Sequence, residues 1–460
     1  MRRVAPALPP AFLLALLACG PAAAQAPDLS GTVPILEERF EAGLDRYDGR
    51  RGVWSTLPRG GRLMTNAAEA VFLDRGVLDE AADLALPPLH EVTPGGLSLR
   101  SAALPAAALE GARAYMRATG QGERAQDVRF ATAQINTART WSQTYGWFEV
   151  AARIPRGRGR WPAFWLTFAG RGWPPEIDVF EAYGAGIDRP TPKDGTFNTA
   201  VLFDALDAEG KPTHSVEIEN AFDPEAPLPR AKPRGDRQVY TFGRLHDVPA
   251  IYDDVHSWAV MWTPEEVVFY FGPDHDGLRE IYRTPTPDDL HDPMYLIAND
   301  QFTARGGWWP ADAALDAVLD PANDFLIRSI TIRALVPGPT LDMGAGDRAF
   351  DDRSSVVLGT GGADEIAPGE GFDILRLGGG ADEVRLTRGR EGKVIEGFGP
   401  DDRLVLEGFP FADAADAVSR LTQVGDDVWL SAGADPFWPQ TIVLRDTEVA
   451  AIGAAQIDLR

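Results

Sequence analysis

Glu176-Ile177-Asp178-Val179-Phe180-Glu181 sets three carboxylates within six residues of an otherwise apolar run. Taking a charge out of water is costly unless it is paired or put to chemical use. No Lys or Arg stands among these acids, and the nearest basic residue upstream is Arg171, beyond Trp173-Pro174-Pro175. Acids without a local partner in an apolar setting have their pKa values driven apart, which is the condition for two-carboxylate catalysis. The chemistry this suits is double displacement at a sugar: Glu176 as nucleophile, Glu181 as general acid and base, Asp178 keeping their charge states distinct. A solvated acidic strand edge or a calcium site is the competing reading. The absence of Gly and turn residues from the run argues against both.

Such a site needs a strand to hold it. Side chains alternate along a strand, so Glu176 and Asp178 share a face, whereas Glu181 points the other way unless one extra residue intervenes. A bulge between Asp178 and Glu181 is therefore expected, and bulges are common beside active sites. With it, the two Glu Cα atoms lie roughly 13–16 Å apart. Each side chain reaches about 4 Å. The remaining gap of about 5–6 Å matches a retaining rather than an inverting glycosidase.

The rest of the chain suits strands. Among 460 residues there are 47 Gly and 37 Pro, and short aromatic and β-branched runs recur between Gly, Pro and Asp. Long helical patterns are scarce beyond the N-terminus. An all-β fold follows, a sandwich through the middle of the chain. Arg2 and Arg3 precede the apolar stretch Ala11–Ala18 and then Ala22-Ala23-Ala24, which reads as an export signal over residues 1–24. That stretch is too short to be a membrane span. Leu16-Leu17-Ala18-Cys19-Gly20 also resembles a bacterial lipobox, which would lipidate Cys19. Cys19 is the sole cysteine, so the exported chain holds together without disulfides. Neither a cysteine pair nor an H-E-x-x-H pattern points to zinc, and the six His form no cluster. A formal charge of −24 excludes nucleic acid as a partner and suits a polysaccharide. A monomer with no catalytic cofactor is expected.

The charge is uneven. Residues 337–460 hold 11 basic and 23 acidic residues, a net of −12. The shift marks a boundary near Pro337-Gly338-Pro339, dividing a sandwich at 30–336 from a small β domain at 337–460. Within the latter, Gly362-Ala363-Asp364-Glu365-Ile366, Gly371-Phe372-Asp373-Ile374-Leu375 and Gly380-Ala381-Asp382-Glu383-Val384 repeat every nine residues. Gly permits the turn, Asp can face a hard cation and the aliphatic residue fills a roll. The reading is a calcium-binding β-roll with Asp364, Asp373 and Asp382 as metal ligands, and the segment resembles the RTX repeat family. A Gly/Asp turn series without metal is the alternative.

The acidic run resembles the E-x-D-x-x-E signature of glycoside hydrolase family 16, in the bulged, laminarinase-like and agarase-like subgroup. Thr144–Val150, Arg153-Ile154-Pro155, Trp161–Leu166, Asn66–Glu69, His256–Glu265 and Pro293–Asn299 are similar to its flanking elements, so the likeness spans about residues 35–335. It implies a jelly-roll sandwich, with Glu176 as nucleophile, Glu181 as acid/base and Asp178 assisting. Two departures fall where sugars would lie. Thr196–Phe203 lacks the His that members often carry, and the segment after Asn299 is long. Trp161, Trp165, Trp173, Trp308 and Trp309 are candidate sugar platforms, since pyranose CH faces pack on aromatic rings, although such residues also fill cores. Asn66 is a candidate sugar hydrogen-bonder or a turn residue. The resemblance implies an endo-β-glycanase on β-1,3- or mixed-linkage glucan, a bacterial exopolysaccharide of succinoglycan type, or a galactan. A transglycosylase at the same site and a non-catalytic glucan-binding surface protein are the alternatives.

Overall fold

In this computed structural model, residues 26–61, 69–74, 88–183, 186–187, 194–203, 215–221, 232–234, 239–246, 248, 250–302, 318–343, 354–433 and 435–460 are described. The export signal, Cys19, Asn66, Trp308 and Trp309 lie outside them.

Two eight-stranded sheets pack face to face, the all-β sandwich expected. One runs from Gln134–Asn136 through Met294–Phe302, Arg160–Phe168, Glu176–Glu181 and Phe197–Phe203 to Val239–His246 and two further strands. The other is built around Gly146–Arg153, His256–Trp262, Glu266–Gly272 and Phe325–Leu335. Their inner faces are filled by alternate residues: Phe164, Leu166, Ile177, Phe180, Leu296 and Ala298 from the first, Phe148, Val150, Trp258, Val260 and Phe269 from the second. Phe180 meets Trp258 across the layers at 4.6 Å between ring centroids. Burying each such side chain contributes about 1.5–3 kcal/mol.

The helix Ala106–Ala118 went unread in the sequence. Ala108, Ala112 and Met116 form its buried stripe at four-residue spacing. Small alanines give little hydrophobic contrast, so the pattern is faint in the sequence.

After Pro337 the chain winds as a parallel coil. Val356–Leu358, Asp373–Arg376, Lys393–Glu396 and Thr441–Leu444 stack in one sheet, and Glu365–Ile366, Glu383–Thr387, Arg403–Glu407 and Ile457–Leu459 in another. Successive strands of the repeat alternate between the sheets, so the nine-residue period is half a coil. Val357, Ile366, Leu375, Val384, Ile395 and Leu404 fill the space between. Gly380, with φ 125°, turns the chain between sheets, and a Cβ there would meet the backbone of Gly362 at 2.5 Å.

No strand pairing joins roll and sandwich among the described residues, yet their apolar cores are continuous. Trp141 of the sandwich packs on Phe372 and Trp429 of the roll, with centroids 6.2 and 5.5 Å apart. A Cβ on Gly392 would lie 2.2 Å from the Trp141 ring, so only glycine admits that approach. Thr144 N donates to Glu391 Oε1 at 2.7 Å, and Arg139 Nη1 to Gly433 O at 3.1 Å.

Candidate active site

The acidic strand carries the bulge that the chemistry requires. Against Phe197–Phe203, Asp178 pairs with Ala200 and Glu181 with Asn198, so Val179 and Phe180 together oppose Thr199 alone. Against Arg160–Phe168, Asp178 pairs with Trp165, Phe180 with Phe164 and Glu181 with Ala163, leaving Val179 as the extra residue. Glu181 therefore returns to the face of Glu176 and Asp178, while Ile177, Val179 and Phe180 are buried in the core.

The register places the neighbours on that face. Glu176 lies in a row with Thr167 and Tyr295. Asp178 is in line with Trp165, Ile297 and Asn136. The row of Glu181 continues through Ala163, Asn299 and Gln134, with Asn198 on its other side. Indoles hold the two Glu carboxylates: Trp173 Nε1 donates to Glu176 Oε2 and Trp161 Nε1 to Glu181 Oε1, both at 2.9 Å. Trp161 is itself fixed from below. The fully buried Arg160–Asp300 pair, at 2.5 Å, sits under it, and Trp161 N donates to Asp300 Oδ1 at 3.2 Å.

All three acids hold protons unusually tightly. Burial raises Glu176 to about 8, its indole partner and Asp178 opposing the rise and the charge of Glu181 adding to it. Burial likewise raises Glu181 to about 7 against the Trp161 hydrogen bond. Asp178 is pushed well above the usual carboxylate range by burial and then by the charges of Glu181 and Glu176. The trio titrates as one unit, so its protons belong to the group rather than to any one residue. The hydrogen bond between Asp178 and Glu176 lowers the Glu176 pKa and raises that of Asp178. Of the two, Asp178 thus holds its proton the more tightly and Glu176 ionises the more readily. Three carboxyls on one face with shared protons can supply both a nucleophile and a proton carrier.

Of the other sequence candidates, Trp161, Trp165 and Trp173 all reach this face. Trp173 is 50% exposed at the Glu176 end. Trp165 Nε1 donates to Asn299 Oδ1 at 2.6 Å. Glu69 is held through its backbone, bonded to Phe302, Arg129 and Phe130. Sequence reasoning missed Tyr295, Asn299, Gln301 and Gln134. Their signal was the alternation in Met294–Phe302, where odd positions face the cleft and even ones the interior. Asn299 Nδ2, Gln301 Oε1 and Gln134 Nε2 are buried without a partner among the described residues, and buried amides left so call for a partner such as a sugar hydroxyl.

The roll aspartates serve other bonds. Asp373 is fully buried and ion-paired with Lys393, whose Nζ also donates to Gly369 O at 2.8 Å and Gly371 O at 2.6 Å. An ammonium thus takes up the carboxylate and turn carbonyls that would suit a calcium ion, and Asp373 does not fit as a metal ligand. Asp364 accepts from Thr360 N at 2.6 Å, and Asp382 Oδ1 accepts from Asp364 N at 2.9 Å across one coil. No group of three or more His, Cys, Asp or Glu is arranged to hold a metal among the described residues. Likewise, no helix among them is long and apolar enough to cross a membrane.

Residues 112–224 match the family model described as "Glycosyl hydrolases family 16". That span includes the whole acidic strand. Over 170 residues the chain is 32% identical to endo-1,3-1,4-beta-glycanase ExsH of Rhizobium meliloti, covering 37% of this chain and 27% of that protein. Over 210 residues it is 29% identical to a beta-glucanase of Rhodothermus marinus, covering 42% of this chain and 59% of that one. The chain thus spans about a quarter of the first relative and under two thirds of the second. Among solved structures, the laminarinase from Rhodothermus marinus aligns with 66% of this chain and 98% of its own at 19% identity, with a TM-score of 0.41.

Proposed function

We propose that the chain is an exported, retaining endo-β-glycanase that cleaves a β-linked polysaccharide: β-1,3-glucan, mixed-linkage glucan or a bacterial exopolysaccharide. The observation that carries this reading is the Val179 bulge, which turns Glu176, Asp178 and Glu181 onto one sheet face. Glu176, in its ionised form, attacks the anomeric carbon while Glu181 gives its proton to the leaving oxygen. A glycosyl-enzyme ester results. Glu181, now a carboxylate, takes a proton from water, which attacks the same carbon and releases the sugar with net retention. Likeness to the relatives' glucanase names supports the substrate class. The test is incubation with a panel of β-glucans and exopolysaccharides, following reducing ends and the first anomer by NMR. A product that appears first as the α-anomer would overturn the double displacement.

Trp161→Phe provides a pH test. The indole bond favours ionised Glu181, so its loss raises the Glu181 pKa further. Glu181 must be protonated for the first step. The alkaline limb of kcat/KM should therefore move to higher pH, and a limb that stays or moves down would remove Glu181 from the acid role.

Calcium enters this reading at Asp364 and Asp382 alone. Asp382 has its pKa raised by burial and by Asp402 and Asp364, and none of the three is ion-paired with Lys or Arg among the described residues. An ion there would complete its shell with backbone oxygens and water. Millimolar calcium is expected to raise the Tm, and Asp382→Asn to abolish the rise. A Tm indifferent to calcium leaves these aspartates as amide acceptors only.

A further inference from the structure

The roll reaches the Glu176 end of the cleft. Its Phe437 is wedged between two guanidinium groups of the sandwich, Arg59 at 4.7 Å and Arg171 at 4.1 Å from the ring centroid. Arg59 also lies 4.7 Å over the ring of Tyr295, the cleft residue in line with Glu176. Arg171 is two positions before Trp173, the indole bonded to Glu176. Beside them, Arg390 of the roll covers Trp438, itself 37% exposed, at 4.5 Å.

Three cations thus gather at one end of the cleft in a protein of net charge −24. None of them is ion-paired with a carboxylate among the described residues, although 68 Asp and Glu are available in the chain. Arg59 donates to Ala169 O at 2.6 Å, and both burial and the charge of Arg171 act against its protonated form. Cation–π contact returns about 0.5–2 kcal/mol per pair. It leaves the in-plane N–H donors of a guanidinium unused, and these are the donors that match a carboxylate. Three like charges held together by aromatic faces, without a counter-ion, form a receptor for an anion.

We infer that this end of the cleft is a composite subsite, built jointly by the sandwich and the roll, that receives a carboxylate-bearing sugar of the polysaccharide. The inference rests on the glycanase reading for its polymer and deepens it: the substrate class is an acidic glycan. It also gives the roll a part in recognition, through Phe437 and Trp438.

The test is affinity electrophoresis of the full chain carrying Glu176→Gln, so that nothing is cut. Gels contain mixed-linkage β-glucan or the same polymer oxidised at C6 to the uronate. The oxidised polymer should retard the protein at a concentration about tenfold lower, a preference that shrinks as salt rises from 50 to 300 mM. Arg171→Gln should cut the ratio of the two affinities severalfold or more, and Arg171→Lys should keep most of it. Because Arg171 is exposed, these variants test charge rather than folding. Equal retardation by both polymers, or a ratio unmoved by Arg171→Gln, overturns the subsite. Failure of the wild-type chain to cut any polysaccharide would instead count against the glycanase reading, and this binding comparison would still be decisive.

Discussion

Glu176→Ala is expected to lower polysaccharide turnover by about 10⁴-fold or more, because it removes the nucleophile and no neighbouring acid is placed to replace it. Asp178 shares the face but holds its proton more tightly than an ordinary carboxylic acid. Azide should enter the space left by the side chain and, with an activated aryl β-glycoside, yield the α-glycosyl azide. Glu181→Ala should behave differently. Polysaccharide cleavage falls comparably, whereas an aryl glycoside with a good leaving group needs no proton in the first step and loses far less. Two variants with the same response to leaving group and azide would contradict the division of roles.

The same site carries a stability cost whose sign is fixed by linkage. Glu176 is raised to about 8 in the folded state from an ordinary value of 4.5. Between those values the native state holds the proton that the unfolded chain releases. Stability is therefore highest below pH 4.5 with respect to this group and is lost as pH rises toward 8. Glu176→Gln should raise the Tm at pH 8 and do little at pH 4.5, even as it abolishes turnover. A variant melting lower than wild type at pH 8 would show that the acids are not strained by burial.

Lys393→Ala should be the most damaging single change in the roll. Its ammonium is 1% exposed, pairs with the fully buried Asp373 and also stabilises ionised Glu391, a buried acid that accepts from Thr144 N of the sandwich. Deleting one member of such a pair leaves an uncompensated charge and costs about 3–5 kcal/mol. Burial already raises the pKa of Asp373 and of Glu391 against the pull of Lys393. Without the lysine both rise further, so protonation relieves the defect in acid and the defect grows as pH climbs past the ordinary carboxylate range. Urea denaturation at pH 5 and pH 8 measures this. A gap between variant and wild type that is equal at the two values would mean that lost packing, not charge, is the cause.

Much of this was legible in the residues. Acids spaced as in Glu176, Asp178 and Glu181 can share a strand face only through one extra residue, so the bulge followed from parity, and Val179 supplies it. The nine-residue period of Gly and Asp required a regular coil, because a repeat of that length that buries one aliphatic position must stack on itself. What the period could not reveal was where each carboxylate's charge goes. Asp373 repeats in frame with Asp364 and Asp382, yet only Asp373 meets a lysine, brought in from 20 residues on. The helix Ala106–Ala118 and the amides of Met294–Phe302 escaped notice for a related reason. Alanine and amide side chains carry weak pattern signals, and their roles depend on what is packed against them.

The residues alone determined the chemistry available: which strand bears acids, where it must kink, and that the tail must coil. Those properties are local, set by side-chain alternation and turn requirements within a few bonds. Only the tertiary structure decided which cation neutralises which acid, which indoles hold the two glutamates, and that Phe437 stands between Arg59 and Arg171. Each of those pairings joins elements far apart in the chain, up to 378 positions for Arg59 and Phe437, and Coulomb and dispersion energies depend on distance in space rather than along the sequence.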